Sequence, residues 1–184
     1  MKETWQYLDT IKTELKSGSI SASDAIIKGL VFLRQVLPSE RLLLLNRELL
    51  GYLDDEVVRI CLEINNLSGD DVSSLWTKKI PIYRVLRGTW VPLATSELTY
   101  VILKKQHGTE FCFYSEGLIS LEERLEELKN NGNLLCRLSL DPNGKATFVV
   151  HSQDLLTCYE YIREQVANLL QSASNELRLL KRKP

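Results

Sequence analysis

The chain has 184 residues, 23 Lys and Arg against 24 Asp and Glu, and a formal net charge of -1. Near-balance of this kind excludes the strong basic excess of a protein whose main task is to coat nucleic acid. Hydrophobic residues make up 44% and charged residues 26%, ordinary values for a soluble globular chain that buries its own core without disulfide or metal staples.

The first third reads as helix. Trp5, Leu8, Ile11 and Leu15 recur at three- and four-residue steps, which places them on one helical face. Ser17-Gly18-Ser19 breaks this helix, and Ser21 with Asp24 three residues on forms a variant capping box for the next. Ala25, Ile26, Leu30, Leu33 and Val36-Leu37 give the second helix a broad apolar face, which Ile27, Val31 and Phe32 are expected to widen. Pro38 is expected to end it. Ser39 then caps a third helix to Leu50, with Gly51 as a left-handed C-cap. A fourth helix is expected over 54–66, followed by the polar loop Ser68-Gly69-Asp70-Asp71.

From Lys79 the pattern changes. Ile80 to Leu93 is rich in β-branched and aromatic residues and reads as a strand, with Pro81 at its start and Gly88 marking a bulge or tight turn. Leu98–Leu103 and Phe111–Tyr114 read as further strands. Ser120-Leu121-Glu122-Glu123 opens a helix to about Lys129 that Asn130-Asn131-Gly132 stops. Leu134–Leu140 and Ala146–Val150 flank Asp141-Pro142-Asn143-Gly144, a hairpin signal, since Asn-Gly readily takes the positive φ of a tight turn. A long helix fills Gln153–Leu180. The fold class is therefore α+β in a single domain spanning 1–184: a helical section over about 1–66, a central and mostly antiparallel sheet over about 79–150, and a C-terminal helix.

That last helix carries Leu155, Tyr159, Ile162, Val166, Leu169 and Ala173 at alternating four-three spacing. The stripe suits packing on its own domain or pairing with a protein partner in a homodimer. The basic Lys181-Arg182-Lys183 suits a solvated helix end.

Signals of chemistry are sparse. Neither a G-x-G-x-x-G after a strand nor a G-x-x-x-x-G-K-[ST] occurs. His107 and His151 have no second ligand at helical spacing. Cys61, Cys112, Cys136 and Cys158 are widely spaced in apolar runs, the pattern of free buried thiols in a reducing compartment. The acidic groups Asp54-Asp55-Glu56, Asp70-Asp71 and Glu122-Glu123 with Glu126-Glu127 read as helix starts, loop and solvated face. We expect no catalytic residue set, no metal and no cofactor. No stretch approaches the ~20 apolar residues that span a bilayer, so we expect no membrane association and a cytoplasmic location.

Arg84 is the residue that most needs a partner. In a strand, Ile80, Ile82 and Arg84 share one face and Tyr83, Val85 and Arg87 the other. A partly buried arginine calls for a carboxylate, and Glu48 is the candidate for a structural ion pair. Alternatively Arg84 binds an anionic group in a site lined by Tyr52, Tyr83 and Arg87. Lys78-Lys79 and Lys104-Lys105 add positive charge to the same aromatic stretch, so a single-stranded nucleic-acid surface stays open as a further alternative.

Several of these stretches resemble the AbiTii domain of bacterial abortive-infection proteins. The resemblance is carried by the helix Ala25–Leu37, by Glu48-Leu49-Leu50-Gly51-Tyr52, and by Pro81-Ile82-Tyr83-Arg84 followed by Gly88. A later echo lies in Ile119-Ser120-Leu121-Glu122-Glu123 and in Tyr161-Ile162-Arg163. The chain departs from the pattern where Leu53–Lys79 separates the Gly-Tyr pair from Pro-x-Tyr-Arg. The resemblance implies a role in phage exclusion, and we expect the protein to act in it through binding rather than through a conventional active site. A metal-dependent enzyme acting on nucleic acid or nucleotide, and a structural module that dimerises through its last helix, are the alternatives.

Overall fold

A computed structural model of the protein describes residues 3–53, 55–57, 59–60, 81–92, 110–140 and 146–181. The fold is α+β: among the described residues it has N-terminal helices, a four-stranded antiparallel sheet and a long C-terminal helix. In chain order the elements are α1 (Thr4–Ser17), α2 (Ala22–Leu33), α3 (Ser39–Leu50), a 3-10 turn (Ile82–Arg84), β1 (Val85–Pro92), β2 (Glu110–Phe113), α4 (Leu118–Asn131), β3 (Leu135–Leu140), β4 (Ala146–His151) and α5 (Ser152–Lys181). Residues 55–57 and 59–60 are helical as well, within the expected fourth helix. The loop 68–71, the strand 98–103, the turn 141–144, His107, Cys61, Lys78-Lys79, Lys104-Lys105 and Arg182-Lys183 lie outside the described residues.

The chain divides into two compact units. One comprises residues 1–51, 116–122 and 159–184, the other 52–115 and 123–158. In the first, the helical unit, the sequence periodicity of α1 is realised: Leu8, Ile11 and Leu15 are buried. α5 runs antiparallel to α1 along a polar seam. Arg163 donates to the Leu15 carbonyl oxygen at 2.9 and 3.3 Å and to that of Lys16 at 3.1 Å, satisfying orphan carbonyls at the end of α1. Ser174 Oγ donates to Asp9 Oδ1 at 2.8 Å. Arg178 pairs with Asp9 and lies 4.2 Å from the centre of the Trp5 ring. Lys181 pairs with Glu3. Ile162, Val166, Leu170 and Ala173 of α5 are buried, as is Leu155 nearer its start.

α2 and α3 differ from expectation at their ends and edges. Ser21 does cap α2, accepting from the Asp24 amide. α2 stops at Leu33, however, and residues 34–36 continue as a turn rather than a helix. Ile27 and Val31 do not widen its buried face; they are 52% and 66% exposed. The inner face is made instead by Ala22, Ala25, Ile26, Gly29 and Leu33, of which Ala22, Ala25 and Gly29 are small enough to admit a close neighbour. Pro38, not Ser39, occupies the N-cap of α3, and no side-chain cap is made. Gly51 has φ 96° but ψ 178°, a positive-φ exit that is extended rather than left-handed helical. It pairs with Glu116 as an isolated β-bridge. Close approach there dictates Gly117, where a Cβ would lie 2.8 Å from the Gly51 nitrogen.

The second unit holds the sheet, in strand order β2-β1-β4-β3 with every pair antiparallel. β3 and β4 pair antiparallel and are the two flanking strands read from the sequence. Gly88 marks no bulge: it stands in continuous register opposite Glu110 and Val150. It is glycine because a Cβ would run into the Val149 carbonyl oxygen and lie 2.6 Å from the Phe148 ring. The sheet's irregularity falls instead in β3, between Arg137 and Ser139. α4 begins at Leu118, two residues ahead of the expected capping serine, so Ser120 sits inside its first turn. Cys112 is half-buried, and Cys136 and Cys158 are buried.

Candidate functional site

Arg84 is not a strand residue. Pro81 fixes φ at -72°, as its ring requires, and the Arg84 amide donates back to the Pro81 carbonyl oxygen at 2.9 Å. One 3-10 turn results, and the strand starts only at Val85. The face-by-face alternation expected for Ile82, Tyr83 and Arg84 therefore does not apply. The turn swings the Arg84 side chain into the sheet unit, where it has no exposed surface and is the largest of the fully buried side chains.

Tyr52 and Tyr114 are among the groups around the guanidinium. Nη1 donates to the Tyr114 carbonyl oxygen at 3.0 Å. The Tyr52 ring centre lies 5.3 Å from Cζ and the Tyr114 ring centre 5.9 Å away, within the range of cation–π attraction. Backbone bonds fix the same neighbourhood: the Tyr114 amide donates to the Arg84 carbonyl oxygen at 2.8 Å, and the Tyr52 amide to that of Ser115 at 2.9 Å. Tyr52 in turn meets Phe113 edge-on at 5.1 Å, joining Ile60 and Phe113 in the core of this unit. Arg84 thus ties together three chain segments: the one entering from Tyr52, the turn before β1 and the one leaving β2.

Arg87 has the opposite environment. It stands exposed on β1, opposite Phe111 in the register. Its guanidinium carbon lies 5.4 Å from the Phe111 ring centre. Tyr83 is half-buried in the turn. Of the four residues expected to bind together, the structure unites Tyr52 and Arg84 in a buried cluster and sets Arg87 at the surface. Glu48 is buried on α3.

Two features were missed in the sequence. Tyr114, one residue past β2, reads as the end of a strand, and nothing in its spacing announces an arginine partner 30 positions away. The second is a polar cluster in the helical unit at the start of α2. The Glu122 carboxylate accepts from the Ser23 amide at 3.1 Å and from the Ser23 hydroxyl. Ser21 Oγ accepts from the Asp24 amide at 3.1 Å and lies 2.9 Å from Ser23 Oγ. The Tyr159 hydroxyl accepts from the Ala22 amide at 3.4 Å. Three orphan amides of α2 are therefore met by side chains, with a carboxylate at the positive end of the helix dipole. Burial, and then the Glu122 charge, push the Tyr159 phenol up to about 12, so it stays neutral there.

Among the described residues no group of three or more His, Cys, Asp or Glu is placed to hold a metal ion, and no described helix is long and apolar enough to cross a membrane. Comparison with protein-family models, with curated proteins and with solved structures gave no match.

Proposed function

We propose that this protein acts by binding, in bacterial phage defence, with the cytoplasm as its compartment. The theme comes from the resemblance of its Gly51-Tyr52 and Pro81–Arg84 stretches to the AbiTii domain. The burial of Arg84 is the observation that shapes the reading. A guanidinium enclosed by Tyr52, Tyr114 and a carbonyl oxygen serves the architecture of the sheet unit, and leaves ligand contact to its exposed neighbour. Arg87, with its charge over the Phe111 ring, offers a cationic and aromatic surface that suits an anionic group on a partner. In this reading the resembling residues build the scaffold and Arg87 presents the contact. Self-association through the last helix would have to use Leu156, Tyr161, Leu179 and Leu180, the apolar side chains of α5 that remain exposed.

The test is a phage-challenge assay in bacteria producing the chain. Arg87→Glu is expected to abolish protection while the purified variant melts like the parent. Arg84→Ala is expected to lose protection together with its fold. Full protection by Arg87→Glu would remove this surface from the account. Absence of protection by the parent across a phage panel would remove phage defence itself.

A further inference from the structure

The outer face of α2 carries an exposed pattern of its own. Asp24, Ile27, Val31 and Arg34 are all exposed and follow one another at three-, four- and three-residue steps. On a helix this spacing aligns them in one stripe, opposite the inward face of Ala25, Ile26, Gly29 and Leu33. Two large apolar side chains, 52% and 66% exposed, sit in the middle of the stripe. An acidic side chain marks one end and a basic side chain the other.

The stripe is palindromic about position 29. Laid antiparallel on a copy of itself across a twofold axis there, Ile27 meets the partner copy's Val31, and Asp24 meets the partner copy's Arg34, twice over. A twofold interface requires this kind of self-complementarity. Within one chain the two charges cannot meet, because Asp24 in the first turn of α2 and Arg34 at its C-cap stand about 15 Å apart along the helix axis. Lys28, at the border of the stripe, is turned to Glu14 of α1 at 3.6 Å, which leaves the centre apolar. On the opposite side of the helix a Cβ on Gly29 would lie 3.1 Å from Leu170 Cδ2, so the inner face of α2 is closely packed on α5 and the stripe faces outward.

We infer that α2 is a homodimerisation helix, pairing antiparallel with α2 of a second copy through Ile27 and Val31, with Asp24–Arg34 ion pairs at both ends. The contact is small, which makes it the weak or transient class of interface, sensitive to salt. This inference is independent of the phage-defence reading and of the surface at Arg87.

Charge reversal tests it with the full chain, by sedimentation velocity over a concentration series. The parent should dimerise, with association weakening as salt is raised. Asp24→Arg places Arg against Arg across the axis, and Arg34→Asp places Asp against Asp. Each alone should weaken the dimer on the order of a hundredfold. Mixing the two variants should restore it, because every 24–34 contact between the unlike chains is again a pair of opposite charges. Within a single helix both reversals oppose the dipole, so an effect of helix stability alone gives no rescue on mixing. Val31→Lys, on an exposed position, should also yield a folded monomer. A parent that stays monomeric throughout the series, a dimer indifferent to these changes, or reversed variants that stay monomeric when mixed would each overturn the inference.

Discussion

Arg84 and Arg163 show how one residue type is used in two parts of this molecule. Both donate to backbone carbonyl oxygens, Arg84 to Tyr114 and Arg163 to Leu15 and Lys16. In the sheet unit Arg84 is sealed from water beside two tyrosine rings. In the helical unit Arg163 is only partly covered and also pairs with Glu160 at 3.0 Å. Water can replace part of what Arg163 provides, but nothing can replace Arg84 once its neighbours have closed over it. The difference teaches that burial, not the number of bonds drawn, ranks these sites.

Substitutions can sharpen or break that ranking. Arg84→Lys keeps the charge but loses the planar donor group that stacks between rings, and should destabilise the protein by about 2 kcal/mol or more in denaturant unfolding. Glu122→Ala removes the carboxylate from the start of α2 and leaves the Ser23 amide unmet, a loss of about 1–2 kcal/mol by the same measurement. Arg163→Ala should lose about 1 kcal/mol, since the freed carbonyls of α1 are near solvent. If Arg163→Ala proved as damaging as Arg84→Lys, the ranking by burial would fail.

Two pH effects are smaller and separate the charged sites by sign. The Tyr159 pKa is raised from 10 to about 12 by burial and by Glu122. Stability linked to its neutral form is fully present below pH 10 and lost as pH rises through about 12. Tyr159→Phe should therefore remove the alkaline loss seen in a pH series of melting temperatures. Hydrogen bonds from Lys181 and from the Trp5 indole hold the Glu3 carboxyl below its ordinary 4.5. Its contribution is present above that value and lost as pH falls through the lower one in the folded protein. Glu3→Gln should flatten this acidic slope only slightly, because the group is solvent-exposed.

Much of the fold was legible in the sequence. The apolar steps in α1 and α5, the Ser21 cap and the strands β3 and β4 are local patterns, and local patterns survive folding. Ile27 and Val31 were misjudged because hydrophobicity alone does not say whether a neighbour exists to cover a residue. Arg84 stands out in the sequence as an arginine in a partly apolar stretch. Its environment was not legible, since a proline-led 3-10 turn replaced the expected strand and the stacking Tyr114 comes from a distant segment. The site at Glu122 was hidden for a related reason. Its carboxylate reads as part of a solvated helix face until the fold brings it to α2.

The central claim is that Arg84 holds the sheet unit together while Arg87, three residues on, is free to serve the surface. Denaturant unfolding of Arg84→Ala and Arg87→Ala, side by side with the parent, tests it most directly. The account predicts a loss of about 3 kcal/mol or more for Arg84→Ala and a change within about 0.5 kcal/mol for Arg87→Ala. Equal losses for the two variants, or an Arg84→Ala protein as stable as the parent, would contradict it.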